Sequence, residues 1–203
     1  MRTGQRPSYV ACIALLSALT LAADSGIRAQ TASVSSASNP GLILQKDEGD
    51  RRVRRPIPGR TAALPSFIIK VDRQYGKSSS FYMGMEDLAP GQGLRRHHHP
   101  HAEEILFIHR GSGTARLGDR EAQVTTGTTI WIPRDVSVEL RNTSEEPLTF
   151  LFFFPEPDGM ASYMRAGSVP EGQEAKPFTA EEFQRHLEKG RAHIVFDDPP
   201  RPN

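Results

Sequence analysis

Thiols are almost absent from this chain, whose single cysteine is Cys12. One cysteine forms no intrachain disulfide, so both a disulfide framework and a thiolate-rich metal site are excluded. An excess of one charge is lacking as well, because 25 Lys and Arg residues stand against 24 Asp and Glu residues, a formal net charge of +1. With no global positive field, we expect no nucleic acid partner.

Long apolar runs are also lacking. Two arginines precede an apolar run at residues 10–23, which falls short of the ~20 residues that a transmembrane helix needs. A basic start followed by a short apolar run is typical of a secretory signal peptide. We therefore predict a signal peptide over residues 1–29, cleaved after Ala29 or, alternatively, after Ala22 or Ala23. The prediction implies an exported protein, periplasmic or secreted, with no stable membrane anchor and no thiol left after cleavage.

The segment that follows carries little apolar content. Its first residues are rich in Ser, Ala and Thr, and we predict a flexible N-terminal leader over residues 30–62. Four arginines within residues 51–55 lie close to Asp47, Glu48 and Asp50. We interpret this cluster as an exposed linker whose arginines pair with the acids, and not as a binding patch.

Short β-rich runs fill residues 63–155. They are separated by turn segments such as residues 111–113 and 133–135. Regular short strands with such turns predict an all-β protein with an antiparallel, double-sheet jelly-roll β-barrel. The last run, residues 148–154, is apolar on both faces, so its outer face needs a cover. Either the C-terminal arm or a second copy in a homodimer would provide one.

The C-terminal arm, residues 156–203, contains one helix signal. Thr179 is a candidate N-cap and Glu182 follows three residues later, the spacing of a capping box. Phenylalanines at 178 and 183 have the spacing of a hydrophobic staple. We predict a short helix near residues 180–189 that ends at Gly190.

Four of the seven histidines lie within residues 97–101. Because side chains alternate along a strand, His97 and His99 point to the same side. Pro100 favours a bend that brings Glu104 back beside this pair. Two imidazoles and one carboxylate suit a divalent transition metal, and Fe, Mn, Ni, Cu and Zn all remain open. We predict a metal site of His97, His99 and Glu104; the alternative is a histidine-rich surface loop without metal.

Two groups of residues have the spacing of the paired motifs of the cupin superfamily. The first is Gly91, His97, His99, Glu104 and Gly111, and the second is Gly127, Pro133 and Asn142. The chain therefore resembles a small single-domain cupin, and the resemblance implies a cupin barrel over residues 63–155. Cupins include dioxygenases, isomerases, decarboxylases, lyases and proteins that bind ligands without turnover, so the resemblance does not choose a reaction.

The second motif departs from the family pattern at two positions. Asp135 stands where the family has a glycine, and Val138 stands where it has a fourth, histidine metal ligand. His101 and Asp135 are candidate replacements from the neighbouring turns. The default expectation is a three-ligand site with an apolar wall at Val138.

Further polar residues are weaker candidates. Tyr82 either donates a hydrogen bond or proton to a substrate or fills the barrel interior as core. Arg95 and Arg96 either bind a substrate carboxylate or lie on the surface, which we favour. By strand parity, we expect Glu103 and His109 to lie away from the metal. We expect His186 and His193, in the arm, to be solvated.

Two functions remain open. One is an exported metal-dependent cupin enzyme, for which we expect a non-heme oxygenase that acts on a small oxygenated or aromatic molecule. The other is a non-catalytic cupin that binds a small ligand or a metal without turnover, and the missing fourth ligand favours it. Both predict a small-molecule partner.

Overall fold

The computed structural model describes residues 41–60, 64–155 and 159–197. The predicted signal peptide and the first part of the leader lie outside this range. The strands are β1 (Asp50–Arg54), β2 (Phe67–Val71), β3 (Phe81–Leu88), β4 (Gly93–His98), β5 (Glu104–Arg110), β6 (Ser112–Leu117), β7 (Arg120–Thr125), β8 (Thr129–Ile132), β9 (Val138–Arg141), β10 (Leu148–Pro155), β11 (Ser168–Pro170) and β12 (Val195–Phe196). The helices are α1 (Met160–Ala166) and α2 (Ala180–Gly190).

The strands form two antiparallel sheets. A seven-stranded sheet has the order β11-β1-β2-β3-β10-β5-β8, and a five-stranded sheet has the order β12-β4-β9-β6-β7. Apolar side chains from both sheets join in one buried cluster. The predicted all-β jelly-roll architecture is therefore confirmed.

The core follows strand alternation. On β10, the inward residues Phe150, Phe152 and Phe154 are buried, whereas the outward Leu151 and Phe153 stay partly exposed. The ring of Phe152 occupies the space that a side chain at Gly84 would need, since a Cβ there would lie 2.2 Å from its Cζ atom. Glycine at this position of β3 therefore lets an aromatic ring fill the barrel.

Asn142, from the second motif, closes a corner of the barrel. It is fully buried, and its Nδ2 donates to the carbonyl oxygens of Leu88 (2.9 Å) and Glu146 (2.7 Å). Its Oδ1 accepts from the backbone N–H of Ser144 at 2.9 Å. The side chain thus satisfies backbone groups that a buried turn would otherwise leave without partners.

Part of the predicted leader is ordered, which corrects its boundary. Residues 50–54 form β1, which pairs with β2 on one side and β11 on the other. Arg52 is buried and donates to the Ser168 hydroxyl at 2.9 Å and to the Ser168 carbonyl at 3.0 Å. The charge pattern suggested solvent exposure, but the arm supplies the acceptors that make burial of an arginine tolerable. The expected pairing with nearby acids is present at Arg51, 3.6 Å from Asp47, and at the buried Arg52, 3.4 Å from Asp50.

The arm contains more structure than its single helix signal. Helix α2 has the predicted capping box, with Thr179 accepting from Glu182 and Glu182 accepting from Thr179. Gly190 is the last helical residue, and the C-cap is Arg191. The arm also contains helix α1 and two short strands. β11 joins the seven-stranded sheet and β12 joins the five-stranded sheet. All three elements are too short to give a sequence signal. Among the described residues, neither helix is long and apolar enough to cross a membrane.

A buried ion-pair network attaches the arm to the barrel. Arg165 of α1 donates to Asp72, 2.7 Å away, and also to Asp50 of β1. Burial raises the pKa of Asp72, but the hydrogen bond and charge of Arg165 and the N–H groups of Tyr75 and Gln74 outweigh it and hold the pKa below its usual value. The folded state therefore favours the charged carboxylate.

We predict that Asp72→Asn lowers the free energy of unfolding by about 1–3 kcal/mol at pH 7, because Arg165 loses a buried charged partner. Since the folded pKa lies below the unfolded value, the contribution is complete above about pH 4 and is lost as the pH falls through the folded pKa. In urea unfolding experiments, the difference in free energy of unfolding between the variant and wild type should be smaller at pH 3 than at pH 7. Glu181→Gln, which removes an exposed partner of Arg185, is the control and should change stability by less than about 0.5 kcal/mol. An equal effect of both variants would contradict this role of Asp72.

Candidate metal centre

The three predicted ligands lie together inside the barrel. His97 belongs to β4, His99 follows its end, and Glu104 begins β5. One potential ligand atom from each lies within 4.8 Å of the others, and all three residues are buried. Strand alternation places the two imidazoles on one side, and the bend after His99 returns the chain to Glu104.

Backbone carbonyls orient both histidines. The Nδ1 atom of His97 lies 2.6 Å from the carbonyl oxygen of Arg95, and Nδ1 of His99 lies 2.6 Å from that of His193 in the arm. Because a carbonyl only accepts, each Nδ1 carries the proton and each Nε2 presents a lone pair. Carbonyl partners of this kind are usual for metal-binding histidines.

The electrostatics favour a bound cation. Burial lowers the pKa of His97 although the Glu104 carboxylate opposes the shift, so the neutral, ligating form prevails at pH 7. Oε2 of Glu104 is buried, lies 3.2 Å from Nε2 of His99, and accepts no hydrogen bond from the described residues. A buried carboxylate without a cation is costly. The donor set therefore fits a divalent transition metal bound by two nitrogens and one oxygen.

The other residues near the motif do not join this group. Val138 is fully buried and lies opposite His97 across the β4–β9 pair, so the wall at the usual fourth-ligand position is apolar as predicted. The two candidate replacements, His101 and Asp135, are both exposed. His98 points the other way, with Nδ1 3.0 Å from Asp197. Glu103 and His109 are exposed, in agreement with their parity.

A cavity of about 230 Å³ opens over the ligands. The barrel contributes His97, His99, Glu104 and the inward phenylalanines of β10, and the arm contributes mainly aromatic and aliphatic side chains. The arm residues are Met160, Tyr163, Met164, Phe178, Phe183, His186, Leu187, Ile194 and Phe196. A largely apolar enclosure of this kind suits a small molecule with an apolar body.

The arm histidines correct the expectation that they are solvated. His186 stacks on Tyr163 with ring centroids 4.4 Å apart, and it also contacts Phe178 at 5.2 Å. Burial, with smaller contributions from the charges of Arg55 and Lys189, lowers the pKa of His186. His193 supplies the carbonyl that holds His99. The apolar run at residues 148–154 suggested the arm as a cover for its outer face, but the arm side chains named above line the cavity beside the inward phenylalanines of β10.

Two polar groups on β3 also line the cavity. Glu86 is buried and binds Arg54 at 2.7 Å; burial raises the pKa of Glu86 and Arg54 opposes the rise. Tyr82 is fully buried, and among the described residues its hydroxyl has no hydrogen-bond partner. The Tyr82 ring is therefore part of the core, whereas its hydroxyl lacks a hydrogen-bond partner among the described residues.

The two arginines of β4 have structural contacts. Arg95 lies over the Phe196 ring, 4.5 Å from its centroid, and lines the cavity. Arg96 pairs with Asp197 at 3.1 Å and donates to the Gly118 carbonyl. Both hold β12 against β4. Arg96 is partly buried between protein partners and does not line the cavity, whereas Arg95 does.

We predict one transition metal ion per chain after loading and desalting, measured by mass spectrometry. His97→Ala, His99→Ala and Glu104→Ala should each weaken metal retention by tenfold or more, because ligand loss should cost at least as much as loss of an outer-shell partner, about 10–100-fold. His98→Ala is the matched control, since it removes a neighbouring histidine that points away, and it should retain the metal. Equal retention in all four variants would place the ligands elsewhere.

Residues 84–154 match the cupin domain family model. The chain is 31% identical to protein SchB of Streptomyces halstedii over 85 residues, which are 40% of this chain and 62% of SchB. It is 24% identical to polyketide synthase CurC of Streptomyces cyaneus over 112 residues, 53% of this chain and 73% of CurC. The match therefore spans less than two thirds of SchB.

Solved structures include a similar barrel from Thermotoga maritima, described as a predicted oxalate decarboxylase. The two superpose with a TM-score of 0.47 at 17% identity, over 56% of this chain and 98% of that one. The family match covers most of β3 to β10, which include the ligand-bearing strands. Together with the paired motifs, it shows that residues 84–154 are similar to a cupin domain.

Proposed function

We propose that this protein is a metal-dependent cupin enzyme that acts on a small oxygenated aromatic molecule, as a non-heme oxygenase. The observation that carries the proposal is that His97, His99 and Glu104 line a partly open, largely apolar cavity together with many aromatic side chains. The ligand set and the substrate space thus lie side by side.

Each part of the site has a role in this proposal. His97, His99 and Glu104 would hold the metal, which supplies Lewis acidity and, if it is iron or copper, the ability to activate dioxygen. Val138 contributes no ligand, so more positions of the metal stay open to substrate and oxygen. The aromatic walls from β10 and the arm bind the body of the substrate and exclude water, which strengthens the electrostatics of the site.

The relatives support the substrate class. CurC is named as a polyketide synthase, and polyketides are oxygenated molecules. We extend this class to the present chain because its cavity combines aromatic side chains with polar and charged ones, such as Glu86 and Arg95, and not because the relatives' activity transfers with the fold.

A second candidate is a cupin that binds its ligand without turnover. Val138 favours it, because a three-residue set without the fourth histidine would hold metal more weakly. In this case the cavity and Tyr82 would serve binding alone.

Two further proposals concern location and assembly. The basic and apolar start of the chain supports export to the periplasm or the medium. A row of apolar side chains on the outer face of the larger sheet supports a homodimer: Met83, Phe153, Ile105 and Trp131 lie side by side on four strands, and Trp131 is 55% exposed.

Oxygen uptake tests the enzyme proposal. Iron(II)-loaded protein should consume oxygen when catechol or a dihydroxynaphthalene is present and not otherwise. The rate of oxygen consumption should be at least about tenfold lower in Glu104→Ala, and it should be unchanged in His98→Ala. Binding of the aromatic compounds without any oxygen consumption, with each of the five candidate metals in turn, would contradict the enzyme proposal and support the second candidate.

A further inference from the structure

Tyr82 is the buried polar group of the cavity that the proposed metal site leaves unused. Its side chain is fully buried, yet it lines the cavity and its hydroxyl has no partner among the described residues. The neighbouring polar groups have other partners: Arg54 binds Glu86, and Asp72 binds Arg165. An unsatisfied buried hydroxyl is a cost that a ligand oxygen would remove.

The register places Tyr82 at the level of the metal ligands. Tyr82 lies opposite Phe154 in the β3–β10 pair. Ile105 lies opposite Phe153, so Glu104 stands beside Phe154 on the other side. Glu104, Phe154 and Tyr82 therefore form one inward row across three strands, and two strand spacings separate its ends by about 10 Å between Cα atoms.

Aromatic rings connect the two ends of this row. The Phe154 ring contacts His99 edge to face, with centroids 4.9 Å apart, and stacks on Tyr82 at 6.1 Å. A planar ligand lying on this surface would have one end at the metal and the other near the Tyr82 hydroxyl. That distance suits one or two fused rings.

We propose that the Tyr82 hydroxyl donates a hydrogen bond to an oxygen of an aromatic ligand, at the end of the cavity remote from the metal. The inference rests on the proposed function and narrows it: the substrate carries oxygen at both ends of a one- or two-ring aromatic body. Glu86 and Arg54, bound to each other, form the adjacent wall.

The protonation state agrees with a donor role. Burial raises the pKa of Tyr82, and Arg54 opposes this only in part. The phenol therefore keeps its proton at neutral pH.

Fluorescence titration of two size-matched probes tests this site, with 2-naphthol and 2-methylnaphthalene added to metal-free and to zinc-loaded protein. Wild type should prefer the naphthol by roughly three- to tenfold in both states, the gain of one hydrogen bond. Tyr82→Phe should abolish this preference while it binds 2-methylnaphthalene as before. Tyr75→Phe removes a tyrosine hydroxyl outside the cavity and should keep the preference.

Thermal unfolding separates a ligand role from a structural one. Because Tyr82→Phe removes an unsatisfied hydroxyl, the variant should melt at the same or a higher temperature than wild type. A clear fall in melting temperature would overturn the proposal, because it would show that the hydroxyl has a partner within the protein.

The outcomes distinguish this inference from the metal function. A naphthol preference that requires zinc and survives Tyr82→Phe would overturn the Tyr82 site and leave the metal site standing. If the protein cannot be loaded with metal but still prefers the naphthol through Tyr82, the result would support the Tyr82 site and contradict the enzyme proposal. Failure of both probes to bind wild type would overturn the inference.

Discussion

The hydrogen bond from Nδ1 of His99 to the His193 carbonyl joins the arm to the proposed metal centre. For this bond to form, residues 159–197 must fold back against the barrel after β10. Two contacts keep them there: β12 pairs with β4 at His97 and His98, and Arg165 of α1 binds Asp72. The same arm covers the cavity with aromatic side chains. Ligand orientation and substrate enclosure therefore have one structural cause.

Burial of polar groups separates the structural from the functional parts of the interior. Arg52, Asp72, Glu86 and Asn142 are buried, and each has a partner that offsets its desolvation. Two other atoms have no hydrogen-bond partner among the described residues. They are Oε2 of Glu104 and the hydroxyl oxygen of Tyr82. Both face the cavity. Among the side chains that line the cavity, these atoms are therefore candidates to bind a metal and a ligand.

The sequence predicts the barrel and its ligand residues because both depend on local patterns. The period of two along the strands, the spacing of His97, His99 and Glu104, and the capping box of α2 all act over a few residues. The role of the arm depends on contacts about a hundred residues apart, such as His99 with His193, which no local pattern encodes. β1 was missed for a related reason: its arginines suggest solvent, and partners such as Ser168 and Glu86 from distant segments make their burial favourable.

X-ray absorption spectroscopy of the zinc-loaded protein tests the central claim most directly, because it reports the atoms bound to the metal. The account predicts a first shell of nitrogen and oxygen with scattering from two imidazoles at about 2.0–2.1 Å and no sulfur. Scattering from three or four imidazoles, or from none, would show that His97, His99 and Glu104 are not the ligand set.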